Sequence, residues 1–415
     1  MSMIAAKHAQ GKCIHDKIFE ANAQAVAAAA KFGKDKVVNA TIGSIHDENE
    51  QLVCLPTVEK VFKALPMNEI AAYAPISGIP EYLDLVQEAT FGKSRPNGVF
   101  TAAIATAGGC GGLHHALWNY MDAGDTALCG DWYWGTYKTI CLDMGRNLVT
   151  YKMFDDELNF NFQDLEDKVK GLLAKQERLV YILNTPGHNP TGYSINEKDF
   201  AHVLDILKRQ SSSQGKPIIL ILDIAYIDFS GDKDEVRKFF KQLEGLPSNI
   251  FTIICYAMSK GFTMYGQRTG AMIGCSTDEK VVQEFKEINQ YTSRATWSNI
   301  NRACQRTLIT IYKDPELLKA IEADRAKYFE MMKRRADLFT AEAKECGLKM
   351  VPYVAGFFMS IPTTKSDAVC EELKKDNIYC VALAAGVRVA ICGVCLPKIK
   401  GLAKKIKEAM DKVGA

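Results

Sequence analysis

Apolar runs in the middle of the chain alternate with helical stripes. Arg178–Leu183 (RLVYIL), Ile218–Asp223 (IILILD), Ile250–Tyr256 (IFTIICY) and Thr269–Cys275 (TGAMIGC) are short, β-rich and apolar almost throughout. Strands with no polar face are buried on both sides, as in the parallel sheet of an α/β layer structure. Between the first two, Glu197–Gln210 sets Phe200, Val203, Leu204 and Leu207 at helical spacing, and Ser211–Gly215 (SSSQG) reads as a loop. The pattern predicts an α/β chain: a three-layer helix–sheet–helix large domain with a mostly parallel sheet.

Past Asn301 the pattern changes. Long charged helices fill Pro315–Gly347, with a break expected inside. A strand at Lys349–Ile361, a helix at Ser366–Asn377, strands near Tyr379–Val394 and a helix at Lys398–Val413 follow, which suggests a smaller α+β domain. An alanine-rich helix, Glu20–Lys31, joins that small domain or forms an arm. The expected division is 1–44 (arm or part of the small domain), 45–300 (large domain) and 301–415 (small domain).

The chain has 415 residues, with 51 basic and 49 acidic groups and a net charge of +2. That balance argues against nucleic acid or an anionic membrane, whose affinity comes from clustered Lys and Arg. No apolar run approaches the roughly 20 residues that span a bilayer, and the N-terminus lacks a signal-peptide core. Thirteen cysteines are scattered, and the one CxxC, Cys392 to Cys395, lies in an apolar run without a second pair. No metal site is expected, and free thiols point to the reducing cytoplasm.

Ligands in open α/β sheets bind at the carboxyl ends of strands. Three predicted strands end in chemistry there. Ile218–Asp223 delivers Asp223, with Tyr226 three residues on; Arg178–Leu183 runs through Asn184 into TPGHNPTG with Asn189; Ile250–Tyr256 runs into AMSKG with Lys260. Alone, each is ordinarily a turn residue or a solvated charge. Together they place a carboxylate, an amide and an amine on one rim. Ala107–Gly112 (AGGCGG) opens a helix whose N–H groups could cradle a phosphate, although it lacks the P-loop lysine. His114 and His115 follow with no carboxylate in motif.

These segments resemble the class I aminotransferases, pyridoxal-phosphate enzymes of fold type I, in their aspartate and aromatic branch. The resemblance runs in order from about Val37 to Arg388: VNATIGSIHDENEQLVCLP, YAPISGIPE, WYWGTY, HNPTG, DIAY, SKGFTMYGQR, RATWSN and GVRVA. It implies a homodimer with a shared active site that moves an amino group from a dicarboxylic or aromatic amino acid to a 2-oxo acid such as 2-oxoglutarate. It also implies the cofactor, pyridoxal 5′-phosphate, held as an imine on Lys260, whose freed amine then moves the substrate proton. By the same resemblance Asp223 faces the pyridine nitrogen, Asn189 and Tyr226 bond the phenolic oxygen, and Trp134 stacks on the ring. Arg268, Gly108, Gly109, Cys110 and Ser259 would hold the phosphate, with Tyr73 reaching the neighbouring subunit's phosphate. The resemblance further implies that Arg388 grips the α-carboxylate, that Gly43 borders the substrate, and that Arg294 pairs across the dimer with a distal carboxylate. The chain departs from the pattern at Ala257, in place of Ser or Thr, at Cys110, in place of Thr, and at Ile300 and Asn301, in place of two prolines. A lyase acting at the α- or β-carbon and a non-catalytic binding protein remain as alternatives; a nicotinamide dehydrogenase is disfavoured, since no GxGxxG follows a strand.

Overall fold

The computed structural model describes residues 4–13 and 15–415. Seven strands form the central sheet: β1 (Phe100–Thr106), β2 (Thr126–Gly130), β3 (Asn147–Tyr151), β4 (Leu179–Asn184), β5 (Ile218–Asp223), β6 (Ile250–Ala257) and β7 (Gly270–Ser276). Their order is β1-β7-β6-β5-β4-β2-β3. Only β7 is antiparallel to its neighbours, β1 and β6. The apolar runs explain this position in the sheet. Along β4, Leu179, Tyr181 and Leu183 enter one core while Val180 and Ile182 enter the other. Both faces are covered, so alternation of side chains produces two cores rather than one wet face.

One core takes the stripe Phe200, Val203, Leu204 and Leu207. The other takes Leu113, Ala116 and Leu117 of helix α1 (Gly108–Asn119) and Val282 and Phe285 of helix α2 (Glu279–Thr296). A second sheet has three antiparallel strands: β8 (Phe358–Pro362), β9 (Val381–Leu383) and β10 (Gly386–Ala390), with β10 in the middle. Its core draws on Met359, Ile361, Val387 and Val389 against Ala336, Phe339 and Ile406. The alanine-rich helix spans Lys17–Phe32, begun by Asp16, whose carboxylate accepts from the backbone N–H groups of Ile18 and Phe19. The chain then pairs Val38–Asn39 in parallel with Ile378–Tyr379.

Three expectations are corrected. Pro315–Glu345 is one unbroken helix of 31 residues. Pro315 sits at its first turn, Asp314 caps it, and no glycine or proline interrupts it before Gly347. The SSSQG segment is helical through Gln214 and stops at Gly215, whose left-handed φ of 64° ends the helix. The strand expected over Lys349–Ile361 shrinks to β8. Ahead of it the chain leaves the sheet to meet a neighbouring loop: Val354 and Ala355 donate to the Gly192 carbonyl, and Gly356 (φ 95°) lies against Gly187, where a side chain would collide with backbone. All thirteen cysteines are free thiols, and the described residues contain no cluster able to hold a metal ion. No described helix is long and apolar enough to cross a membrane.

Candidate active site

Strands β4, β5 and β6 run parallel with Asn184 beside Asp223 and Asp223 beside Cys255. Their carboxyl ends therefore share one rim, and above it opens a cleft of about 510 Å³. Asn184 organises the turn that follows it. Its amide donates to the Asp223 carbonyl (2.7 Å) and its oxygen accepts from the Asn189 N–H (2.7 Å). Asn189 in turn donates to the Tyr226 hydroxyl at 3.3 Å.

Lys260 stands on the short turn Met258–Gly261 directly after β6. Its Nζ donates to the Gly43 carbonyl at 2.6 Å and lies among the rings of Tyr265, Phe357 and Tyr226, 4.9, 5.5 and 5.6 Å from their centroids. Burial, with help from Arg388 and Arg268, pulls its pKa down to about 8, against the opposing pull of Cys392 and Asp223. Asp223 is buried, which pushes its carboxyl up; the Tyr137 hydroxyl at 2.6 Å and the Ala225 N–H at 3.2 Å oppose this. Trp134 lines the cleft edge-on to Tyr137, with centroids 5.7 Å apart.

Two guanidinium groups stand in the cleft. Arg388, on β10, is 2% exposed. It donates to the Thr41 carbonyl at 2.5 Å and to Asn189 Oδ1 at 3.3 Å, and it packs under the Phe358 ring. Its Nε is buried with no partner among the described residues, a donor free for an acceptor. Arg268 donates to Ser259 Oγ (3.2 Å) and to the Tyr265 carbonyl (2.7 Å). It rests against Gly108, where a Cβ would meet Nη2 at 2.9 Å. No side chain caps the first turn of α1, so the N–H groups around Gly109 and Cys110 face the same place. Gly43 is tight too: a Cβ there would lie 2.4 Å from Phe358 Cζ.

The site thus holds a buried amine, a buried carboxylate, a guanidinium beside an uncapped helix start and a second, separate guanidinium. That donor set suits pyridoxal 5′-phosphate together with an amino acid. Eleven of the fourteen expected residues line the cleft: Gly43, Gly109, Cys110, Trp134, Asn189, Asp223, Tyr226, Ser259, Lys260, Arg268 and Arg388, with Gly108 behind Arg268. Tyr73, 87% exposed, and Arg294, exposed and bonded to Ser298 Oγ at 2.5 Å, do not reach the cleft of their own chain. The sequence reading missed Tyr137, Tyr265, Phe358 and Thr41. Thr41, Tyr137 and Tyr265 sit inside the quoted VNATIGSIHDENEQLVCLP, WYWGTY and SKGFTMYGQR motifs, so their neighbours carried a signal; Phe358 lies outside every quoted motif and gave none.

A buried amine and a buried carboxylate in one cleft, at the strand ends of a three-layer sheet, are the arrangement of a fold type I pyridoxal-phosphate transferase. The model of the family "Aminotransferase class I and II" matches residues 35–406, and the chain belongs to that family, whose members are pyridoxal-phosphate-dependent. A solved aminotransferase from Anaerococcus prevotii is similar with a TM-score of 0.95 and 37% identity, covering 98% of this chain and 99% of that one. The cytoplasmic aspartate aminotransferase of Dictyostelium discoideum is 24% identical over 90% of this chain and 84% of its own. The aromatic-amino-acid aminotransferase of Escherichia coli is 25% identical over 90% and 93%.

Proposed function

We propose that this aminotransferase takes dicarboxylic or aromatic L-amino acids as donors and a 2-oxo acid such as 2-oxoglutarate as acceptor. It acts in the cytoplasm as a homodimer in which each subunit lends Tyr73 and Arg294 to its partner's cleft. The observation that carries the reading is Lys260: an amine depressed to about 8, in one cleft with Asp223 and Arg388. The names of the relatives support the donor classes and, with the free thiols, the compartment.

Bound pyridoxal 5′-phosphate supplies an electron sink for the bond broken at the substrate α-carbon. The chain's residues do the rest. Arg388 fixes the α-carboxylate with two parallel hydrogen bonds, which orients the α-hydrogen toward Lys260. Lys260 Nζ, partly neutral near pH 7, removes that proton and delivers it again one position along. Asp223, whose ionised form the Tyr137 hydroxyl favours against burial, would balance positive charge at the cofactor's ring nitrogen. Phe358, Trp134 and Tyr265 exclude water from the bond being broken.

The experiment is a donor panel of aspartate, glutamate, tyrosine, phenylalanine and alanine with 2-oxoglutarate, followed by product 2-oxo acid. Acceptor-dependent turnover, abolished in Lys260→Ala, is expected. Release of ammonia and pyruvate without any acceptor would instead assign a lyase.

A further inference from the structure

Helix α2 ends beside Arg294, and a buried cluster with no part in the steps above holds that end. His115, on α1, is fully buried. Its ring stacks face to face on Trp297, with centroids 4.1 Å apart and planes 2° from parallel, and its Nε2 lies 3.2 Å from Ser293 Oγ. Gly111, one turn earlier on α1, leaves room for the indole: a Cβ there would come within 3.0 Å of it. Trp297 Nε1 is buried without a partner among the described residues, and packing holds that ring. Beyond it the chain turns sharply at Ser298 (φ 67°), whose N–H donates to the Ser293 carbonyl at 2.9 Å.

Ser293 and Trp297 are four residues apart and share the inward side of the last turn. Arg294, next to Ser293, is exposed. We infer that His115 is a positioning residue: through Ser293 and Trp297 it fixes the last turn of α2, and so sets where Arg294 meets the distal carboxylate of a substrate in the partner's cleft. This rests on the role proposed above for Arg294. A guanidinium at the end of a long side chain amplifies a small tilt of its helix end, and a two-bond grip on a carboxylate tolerates little displacement. Burial, then His114, hold the His115 imidazole neutral, down to about 3, so the stack keeps one charge state through neutral pH.

The test measures binding of succinate and of 3-phenylpropionate to the cofactor-loaded protein by calorimetry, in the parent, His115→Leu, Ser293→Ala and Arg294→Ala. His115→Leu and Ser293→Ala should weaken succinate about 3- to 10-fold and leave 3-phenylpropionate within about twofold, since only the longer reach to a second carboxylate is disturbed. His115→Phe, which keeps a stacked ring, should recover part of the loss. If His115→Leu does not fold, Ser293→Ala, one atom smaller than the parent, carries the test alone. Succinate binding unchanged in both, with Arg294→Ala weakened, overturns the positioning role; so does equal weakening of both ligands. Unchanged succinate binding in Arg294→Ala refutes the assignment of Arg294 itself, and the positioning role with it.

Discussion

Tyr137→Phe removes one oxygen atom and leaves the ring in place. The hydroxyl it deletes donates to Asp223 Oδ2 at 2.6 Å, and both residues are buried. Asp223 is left with the Ala225 N–H at 3.2 Å as its remaining donor. A hydrogen bond to a charged group contributes about 1.5–3 kcal/mol, and burial screens this one from solvent. The loss pushes the Asp223 pKa further in the direction that burial already drives it, upward. A carboxylate less willing to stay ionised holds a protonated ring nitrogen less firmly. Cofactor affinity should therefore fall about tenfold or more, and kcat at saturating cofactor should fall by a similar factor. Fluorescence titration with pyridoxal 5′-phosphate gives the first quantity and steady-state turnover the second. Unchanged values for both, in a variant that folds, would refute the claim that Tyr137 sustains an anionic Asp223.

Lys260 gives a pH prediction with a definite sign. Its amine titrates at about 8, below its ordinary 10.5, so cofactor loading should rise with pH and level off above about 8, dropping about tenfold per unit below it. Loading rates followed by absorbance from pH 6 to 10 check this; a plateau reached only near 10.5 would show that burial does not depress the group. Arg388→Lys replaces a fork anchored on Thr41 and Asn189 with a single point charge. KM should rise about 10- to 100-fold for aspartate and phenylalanine alike, the equivalent of one lost charged hydrogen bond; a rise confined to aspartate would move Arg388 to the distal carboxylate.

Much of the site was legible because strand ends are legible. Once β4, β5 and β6 are read as buried and parallel, Asn184, Asp223 and Lys260 must emerge on one rim, whatever the loops between them do. The ordered motifs carried Arg268 and Arg388 as well. What was not legible depends on contacts between distant parts of the chain. Tyr137 meets Asp223 across 86 positions, Lys260 meets Gly43 across 217 and Arg388 meets Thr41 across 347. No local periodicity records such pairs. The unbroken helix over Pro315–Glu345 is obscured for the opposite reason: its charged surface hides a continuity that its cap and its lack of glycine and proline already allow.

The sequence by itself determined which residues could do chemistry and in what order they come, because side-chain type and apolar period are local properties. It could not determine that Lys260 would be an amine of about 8 rather than 10.5, that Asp223 would be held by a tyrosine, or that His115 would brace the end of α2. Those follow from desolvation and from distances of a few ångströms, and only packing of the layers creates either. Tyr73 and Arg294 mark the remaining boundary. The tertiary structure leaves both on the surface, away from their own cleft, so the chemistry proposed for them would need a second chain.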